Sequence, residues 1–241
     1  KESPYSINKA VGYLKSGKVV ALKSETVYGL ACDPGNLNSI NKVYDLKKRP
    51  LYNPLIIHVN SIEMANKISQ MNKLATEIAE HFWPGPLTLI LPKKKNSFVN
   101  DLAISGLETI AIRFPDSKVF LKIINKLNKP IAAPSANRSG YISSTNAYHV
   151  QDCFGKKIDL ILNSGNSKLG LESTILDLSS KPYSIKRLGM ISYDLIKNKF
   201  GSTFKINDTL KFDEKPNSPG LLSKHYSPKT PLKLNVTKPK I

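Results

Sequence analysis

Residues 109–133 read TIAIRFPDSKVFLKIINKLNKPIAA. Thr109 to Phe114 is rich in β-formers and predicts a strand. Val119, Phe120, Ile123, Ile124 and Leu127 then recur at helical spacing, with Asp116 or Ser117 available as N-cap. A short strand follows near Pro130–Ala133. Strand, helix and strand in so few residues are the unit of an α/β fold.

The same alternation extends outward in both directions. Ile7, Ala10, Val11 and Leu14 predict a helix closed by Gly17, and Val19 to Leu22 a buried strand. Leu37, Ile40, Val43 and Tyr44 predict a second helix ending before Pro50, and Leu55 to Val59 a further strand. Leu74, Ile78 and Phe82 mark a third helix, stopped by Pro84 and Gly85. Strands are expected at Thr88–Leu91, Asp159–Leu162 and Thr174–Leu178, with a helix between about Asn146 and Phe154. The predicted class is α/β, a twisted sheet flanked by helices, over residues 1–210. After Leu210, Pro216, Pro219, Pro228, Pro231 and Pro239 break up a polar, basic stretch, so 211–241 reads as an extended linker.

With 241 residues and 40% hydrophobic content, the chain can build a core. It has no run of the roughly 18 apolar residues that a membrane span needs, and no secretory signal pattern. A soluble, cytoplasmic protein without membrane attachment is expected. Cys32 and Cys153 stand far apart, without metal-ligand spacing, which suggests neither a disulfide framework nor a zinc site. The net charge of +18 favours anionic partners such as nucleotide phosphates or RNA. Because the lysines are scattered, a solvated surface accounts for them equally well.

No GxGxxG or Walker loop occurs; Leu171 and Glu172 stand where a Walker motif needs Lys and Ser/Thr. Charged and hydroxyl side chains instead gather in breaker-rich segments. Ser24-Glu25-Thr26-Val27-Tyr28-Gly29-Leu30 follows a strand as a polar turn. Lys47-Lys48-Arg49-Pro50, with Asn53 and His58 beyond, puts Lys47 and Arg49 two apart near a helix end, where both can face one anion. Phe82-Trp83-Pro84-Gly85-Pro86 is a structural corner. Thr109, Ala111 and Arg113 share one strand face, so Thr109 and Arg113 are expected in one pocket, where Arg113 meets a ligand carboxylate or a structural salt bridge. Ala133-Pro134-Ser135-Ala136-Asn137-Arg138-Ser139-Gly140 offers small residues and directional hydrogen bonds. Glu172-Ser173-Thr174 and Arg187-Leu188-Gly189 follow.

Taken in order, SETVYGLA, KKRPLYNPLIIH, FWPGPLT, TIAIR, PSANRSG, ESTILD and RLG resemble the YrdC-type threonylcarbamoyl-AMP synthases over about residues 5 to 200. SPGLLSKHYSPKTPL resembles the linker of the longer members, which continue into a second domain; with the sequence stopping at Ile241, that domain is expected to be absent, truncated away or reduced. The family commonly has KGRP where Lys48 interrupts the pattern here. The resemblance implies a twisted open mixed sheet around a basic cavity. It implies an enzyme, a nucleotidyltransferase, that joins L-threonine, bicarbonate or carbon dioxide, and ATP into threonylcarbamoyl-AMP for tRNA modification. Lys47, Arg49, Asn53, Thr109, Ser135, Asn137, Ser143 and Arg187 would contact ATP, with Lys47 and Arg49 catalytic. Thr26, His58, Arg113, Ala133 and Ser173 would line the threonine site. His225 would lie near the nucleotide, with Tyr226 in a linker folded over the cavity mouth as a lid. Mg2+ would accompany ATP, and the product would pass to tRNA threonylcarbamoyl-transfer proteins. A non-catalytic RNA-binding module, with weak RNA binding, is the alternative reading. Carbamoyl transfer in hydrogenase maturation is a further rival, although the zinc-finger and acylphosphatase-like segments of that system have no counterpart in this sequence.

Overall fold

A computed structural model describes residues 2–201 and 204–206. The first half runs α1 (Pro4–Lys15), β1 (Val20–Lys23), β2 (Tyr28–Ala31), α2 (Leu37–Lys47), β3 (Ile56–His58), α3 (Ile62–Ile68), α4 (Lys73–Phe82) and β4 (Leu87–Pro92). The second half continues with β5 (Thr109–Arg113), α5 (Lys118–Leu127), β6 (Ile131–Ala132), α6 (Ala147–Phe154), β7 (Leu160–Ile161), β8 (Thr174–Asp177), β9 (Ser184–Arg187), α7 (Tyr193–Phe200) and β10 (Lys205–Ile206).

Ser or Asn caps each of these helices, from Ser3 before α1 to Ser192 before α7, its side chain accepting a backbone N–H of the first turn. Each such cap stabilises its helix by about 1 kcal/mol. For α5 the cap is Ser117 rather than Asp116, with Phe120 donating to its Oγ at 3.4 Å.

A seven-stranded mixed sheet has the order β10-β9-β8-β4-β5-β3-β6, and a three-stranded sheet the order β2-β1-β7. Bridges Gly29↔Ser135 and Cys32↔Ala132 join β2 to the β6 side of the large sheet. The sequence reading lacked β2, α3, β9, α7 and β10. The twisted sheet flanked by helices is otherwise as expected. No helix among the described residues is long and apolar enough to cross a membrane.

Strand alternation divides the labour between the two faces of the large sheet. Ile57, Leu89, Leu91, Ile110, Ile112 and Leu176 point into the main core. Ile56, Ile90, Ala111 and Ile175 form a second, smaller apolar cluster. On that second face, His58 and Thr88 both pair with Arg113 in register, one on each side of β5. The smaller face is therefore polar at one end of its strands and apolar beside it, suited to flooring a site. Helix α5 packs beside α1, and both touch β1. Its Phe120 is buried and places its ring 5.1 Å from that of His58.

Candidate active site

One cavity opens above the polar end of that sheet face. Of the residues expected at a nucleotide, Lys47, Arg49, Asn53, Ser135, Asn137 and Arg187 line it. Of those expected at an amino acid, Thr26, His58, Arg113, Ala133 and Ser173 line it. Thr109 is not among the lining residues. It does share the face of Arg113, but it sits at the opposite end of β5, paired with Pro92. Ser143 lies behind the lining and donates to Glu172 Oε1 at 2.8 Å. His225, Tyr226 and the stretch 211–241 lie outside the described residues.

Lys47 ends α2, and Lys48 follows in the left-handed region at φ 51°. That turn reverses the chain, so Lys47 and Arg49 both line the cavity despite the residue between them. Lys47 Nζ donates to the carbonyls of Ser135 at 2.5 Å and Asn137 at 2.7 Å. Burial, then the neighbouring Arg49, lowers its pKa to about 7, while Glu172 pulls the other way. Arg49 donates from Nε to the Asn53 carbonyl at 2.9 Å and from Nη2 to the Pro54 carbonyl at 2.7 Å. Desolvation brings its pKa down to about 10.

Arg113 is 4% exposed. Its Nη2 donates to Glu25, its Nη1 to Thr26 Oγ1 at 3.0 Å and its Nε to the Gly85 carbonyl at 3.2 Å. The corner at Trp83–Gly85 therefore does more than turn the chain, because it presents a carbonyl to this guanidinium. Three of the five N–H groups are thus engaged, and two are left for a ligand. Arg187 is held likewise: Nη1 donates to Glu172, Nε to the Ser173 carbonyl at 3.0 Å and Nη2 to Ser173 Oγ at 3.2 Å. Ser173 Oγ also meets Thr88 Oγ1 at 2.7 Å.

Lys47, Arg49, Arg113 and Arg187 thus oppose the carboxylates Glu25 and Glu172, and cations are in excess. Buried arginines need anionic partners, and the two glutamates satisfy them while the cavity keeps an anion-attracting field. Sequence reasoning quoted both glutamates inside motifs and gave neither a role. Thr88 was also passed over.

His58 Nδ1, Asn137 Oδ1 and Glu25 Oε2 are buried without a hydrogen-bond partner among the described residues. Buried polar atoms are nearly always satisfied, so a cavity rimmed by such atoms is a ligand site in waiting. Burial, and then Arg113, pushes the His58 pKa down to about 3, so the imidazole is neutral at ordinary pH. The folded value lies below the unfolded one, so this contribution is complete above about pH 6.5 and is lost as pH falls towards 3. From pH 8 to pH 5 the chain is expected to lose about 2 kcal/mol more stability than a His58→Gln variant. Denaturant titrations of both proteins at the two pH values check this; equal losses would place a charged imidazole in the fold.

A family model described as telomere recombination, Sua5_yciO_yrdC, matches residues 12–189. The threonylcarbamoyl-AMP synthase of Pyrococcus abyssi is 38% identical over 227 residues, which is 93% of this chain and 66% of that protein. That of Bacillus subtilis is also 38% identical over 227 residues, 94% of this chain and 65% of that protein. The chain therefore spans just under two thirds of the length of these two relatives. Pyrococcus abyssi Sua5 complexed with L-threonine superposes with a TM-score of 0.90 at 37% identity, covering 95% of this chain and 67% of that one. Escherichia coli YciO, at 20% identity and a TM-score of 0.73, covers 80% of this chain and 93% of its own and shares the fold.

Proposed function

The chain belongs to the Sua5/YciO/YrdC family, and on that premise we propose that it is an L-threonylcarbamoyladenylate synthase. It would convert L-threonine, bicarbonate or carbon dioxide, and ATP into threonylcarbamoyl-AMP and pyrophosphate, for threonylcarbamoyladenosine in tRNA. The observation that carries this reading is the convergence of Lys47, Arg49, Arg113 and Arg187 on one cavity that also holds Thr26, His58 and Ser173. Relatives named as threonylcarbamoyl-AMP synthases, and one solved with L-threonine, support it.

The two free N–H groups of Arg113 suit the carboxylate of an amino acid, and Thr26 and the neutral His58 stand beside them to meet its polar groups. The amine nitrogen attacks carbon dioxide, forming the N–C bond and releasing a proton, to give a carbamate. A carbamate oxygen then attacks the α-phosphorus of ATP, and the bond to pyrophosphate breaks. Negative charge spreads over the phosphates as it does so, where Lys47, Arg49 and Arg187 would receive it. The protein forms no covalent bond here; it positions the reactants and holds fixed charge in place.

The described residues contain no group of three or more His, Cys, Asp or Glu side chains fit to hold a metal. Glu172, the carboxylate on the lining, is already shared by Ser143 and Arg187. Magnesium would accompany the triphosphate through its oxygens, no carboxylate cage standing ready for it among the described residues.

Pyrophosphate release, measured with each substrate omitted in turn, tests the reading. It should need threonine and bicarbonate together; release that ignores threonine would reject it. In the same assay Arg49→Ala is expected to lower turnover at least tenfold, because charge-assisted hydrogen bonds are worth about 1.5–3 kcal/mol. Near-normal activity would remove Arg49 from the site.

A further inference from the structure

Strand β4 places Leu87, Leu89 and Leu91 in the main core and turns Thr88 and Ile90 to the smaller face. Thr88 is fully buried there, where valine would suit the strand equally well. A hydroxyl at such a position needs a partner. Thr88 has one: its Oγ1 lies 2.7 Å from Ser173 Oγ, and among the described residues its side chain makes no other hydrogen bond.

Ser173 lines the cavity just before β8 and is buried. Its backbone is pinned through the next residue. Thr174 donates from its N–H to the Pro86 carbonyl at 3.0 Å and from Oγ1 to the Ile191 carbonyl at 2.7 Å. The same Oγ1 accepts from the N–H groups of Gly189 and Ile191, each at 3.0 Å. What Ser173 keeps is the rotation of its hydroxyl proton. Its oxygen already accepts from Arg187 Nη2 at 3.2 Å, which fills one of its two lone pairs.

If Ser173 donated to Thr88, the Thr88 proton would be buried with no acceptor among the described residues. If Thr88 donates, both lone pairs of Ser173 are filled and the Ser173 proton is free to enter the cavity. Resting on the synthase reading, we infer that Thr88 is a positioning residue that makes Ser173 an obligate donor to the carbamate formed between amino acid and nucleotide. The place fits that role. Ser173 is bonded to Arg187, on the phosphate side, and Thr88 is the register partner of Arg113, on the amino-acid side. A hydrogen bond to the carbamate oxygen that does not attack holds the other one towards the α-phosphorus.

Turnover, KM and melting temperature of Thr88→Val and Thr88→Ser, made in the full chain, test this role. Thr88→Val keeps the β-branched shape and loses the donor. It should melt close to wild type, while kcat for threonine-dependent pyrophosphate release falls roughly tenfold or more. KM for threonine and for ATP should stay within about threefold, because the carbamate arises only after both have bound. Thr88→Ser keeps the donor and loses a buried methyl group, so it should melt lower and retain most of the turnover. Unaltered turnover in Thr88→Val would overturn the inference, and so would turnover that follows the melting temperature instead of the hydroxyl. A raised KM for threonine at unchanged kcat would also overturn it, by putting the Ser173 proton on the amino-acid carboxylate. Wild-type release that ignores threonine would defeat the synthase reading itself, and a neutron structure then decides the proton's position without turnover. The Thr88 deuteron should lie on the line to Ser173 Oγ, with the Ser173 deuteron pointing into the cavity; a Ser173 deuteron directed at Thr88 would overturn the inference.

Discussion

Arg113→Ala is expected to lower threonine-dependent pyrophosphate release by roughly a hundredfold and to destabilise the chain by about 3–5 kcal/mol. Both effects come from one guanidinium. In the cavity it is the charge beside Thr26 and His58 that would hold the amino-acid carboxylate. In the fold it neutralises Glu25, whose side chain is only 5% exposed. Truncation leaves that carboxylate buried and unpaired, which costs far more than the pair itself contributes. A second variant separates the two roles. Arg113→Ala combined with Glu25→Ala removes both charges and should regain much of the lost stability, while turnover stays low. Denaturant midpoints and pyrophosphate release on the three proteins make the comparison. Recovery of turnover in the double variant would show that Arg113 serves the fold alone.

Gly189→Ala should disable the site from outside it. A Cβ there would stand 2.3 Å from the Glu172 carbonyl oxygen, 2.6 Å from the Thr174 nitrogen and 2.7 Å from the Ser173 carbonyl carbon. All three are backbone atoms, so no side chain can swing away to make room. The segment that must shift carries Glu172 and Ser173, the partners of Arg187. The Gly189 N–H also donates to Thr174 Oγ1 at 3.0 Å, which ties the turn to β8. Overpacking of this kind costs about 1–3 kcal/mol, and misplaced catalytic groups lose about a hundredfold per ångström. Turnover is therefore expected to fall at least tenfold. Gly106→Ala is the control: its φ is +71°, but an added Cβ meets nothing within 4 Å. It should cost about 1 kcal/mol of backbone strain and leave turnover unchanged. Thermal unfolding and steady-state turnover of both variants distinguish a crowded turn from a merely strained one.

What could be read from the residues follows the range of the interactions involved. Helices α1, α2, α4 and α5 carry apolar residues at helical spacing over several turns, and they were legible. Helix α3 has only seven residues, and α7 buries only Ile196. Strand β2 sits in a motif that reads as a polar turn; it pairs with its neighbour β1, but its bridge to Ser135 comes from a distant part of the chain. For the site, ordered motifs were enough to name most of the lining. The period-two argument put Thr109 and Arg113 on one face correctly, yet faces say nothing of distance along a strand. Glu25 and Glu172 carry the wrong sign for an anion site, and only the burial of Arg113 and Arg187 explains their presence. That Arg113 would meet a ligand carboxylate or a structural salt bridge was legible from its place on a buried strand; which carboxylate, Glu25, was not.

The most direct test supplies ATP, L-threonine and 13C-labelled bicarbonate to the full chain and follows the adenylate by mass spectrometry. If the cavity holds an amino acid beside a nucleotide, threonylcarbamoyl-AMP should appear carrying the label, in step with pyrophosphate. Pyrophosphate formed without a labelled adenylate, or a labelled product undiminished in Arg113→Ala and Arg187→Ala, would contradict the account.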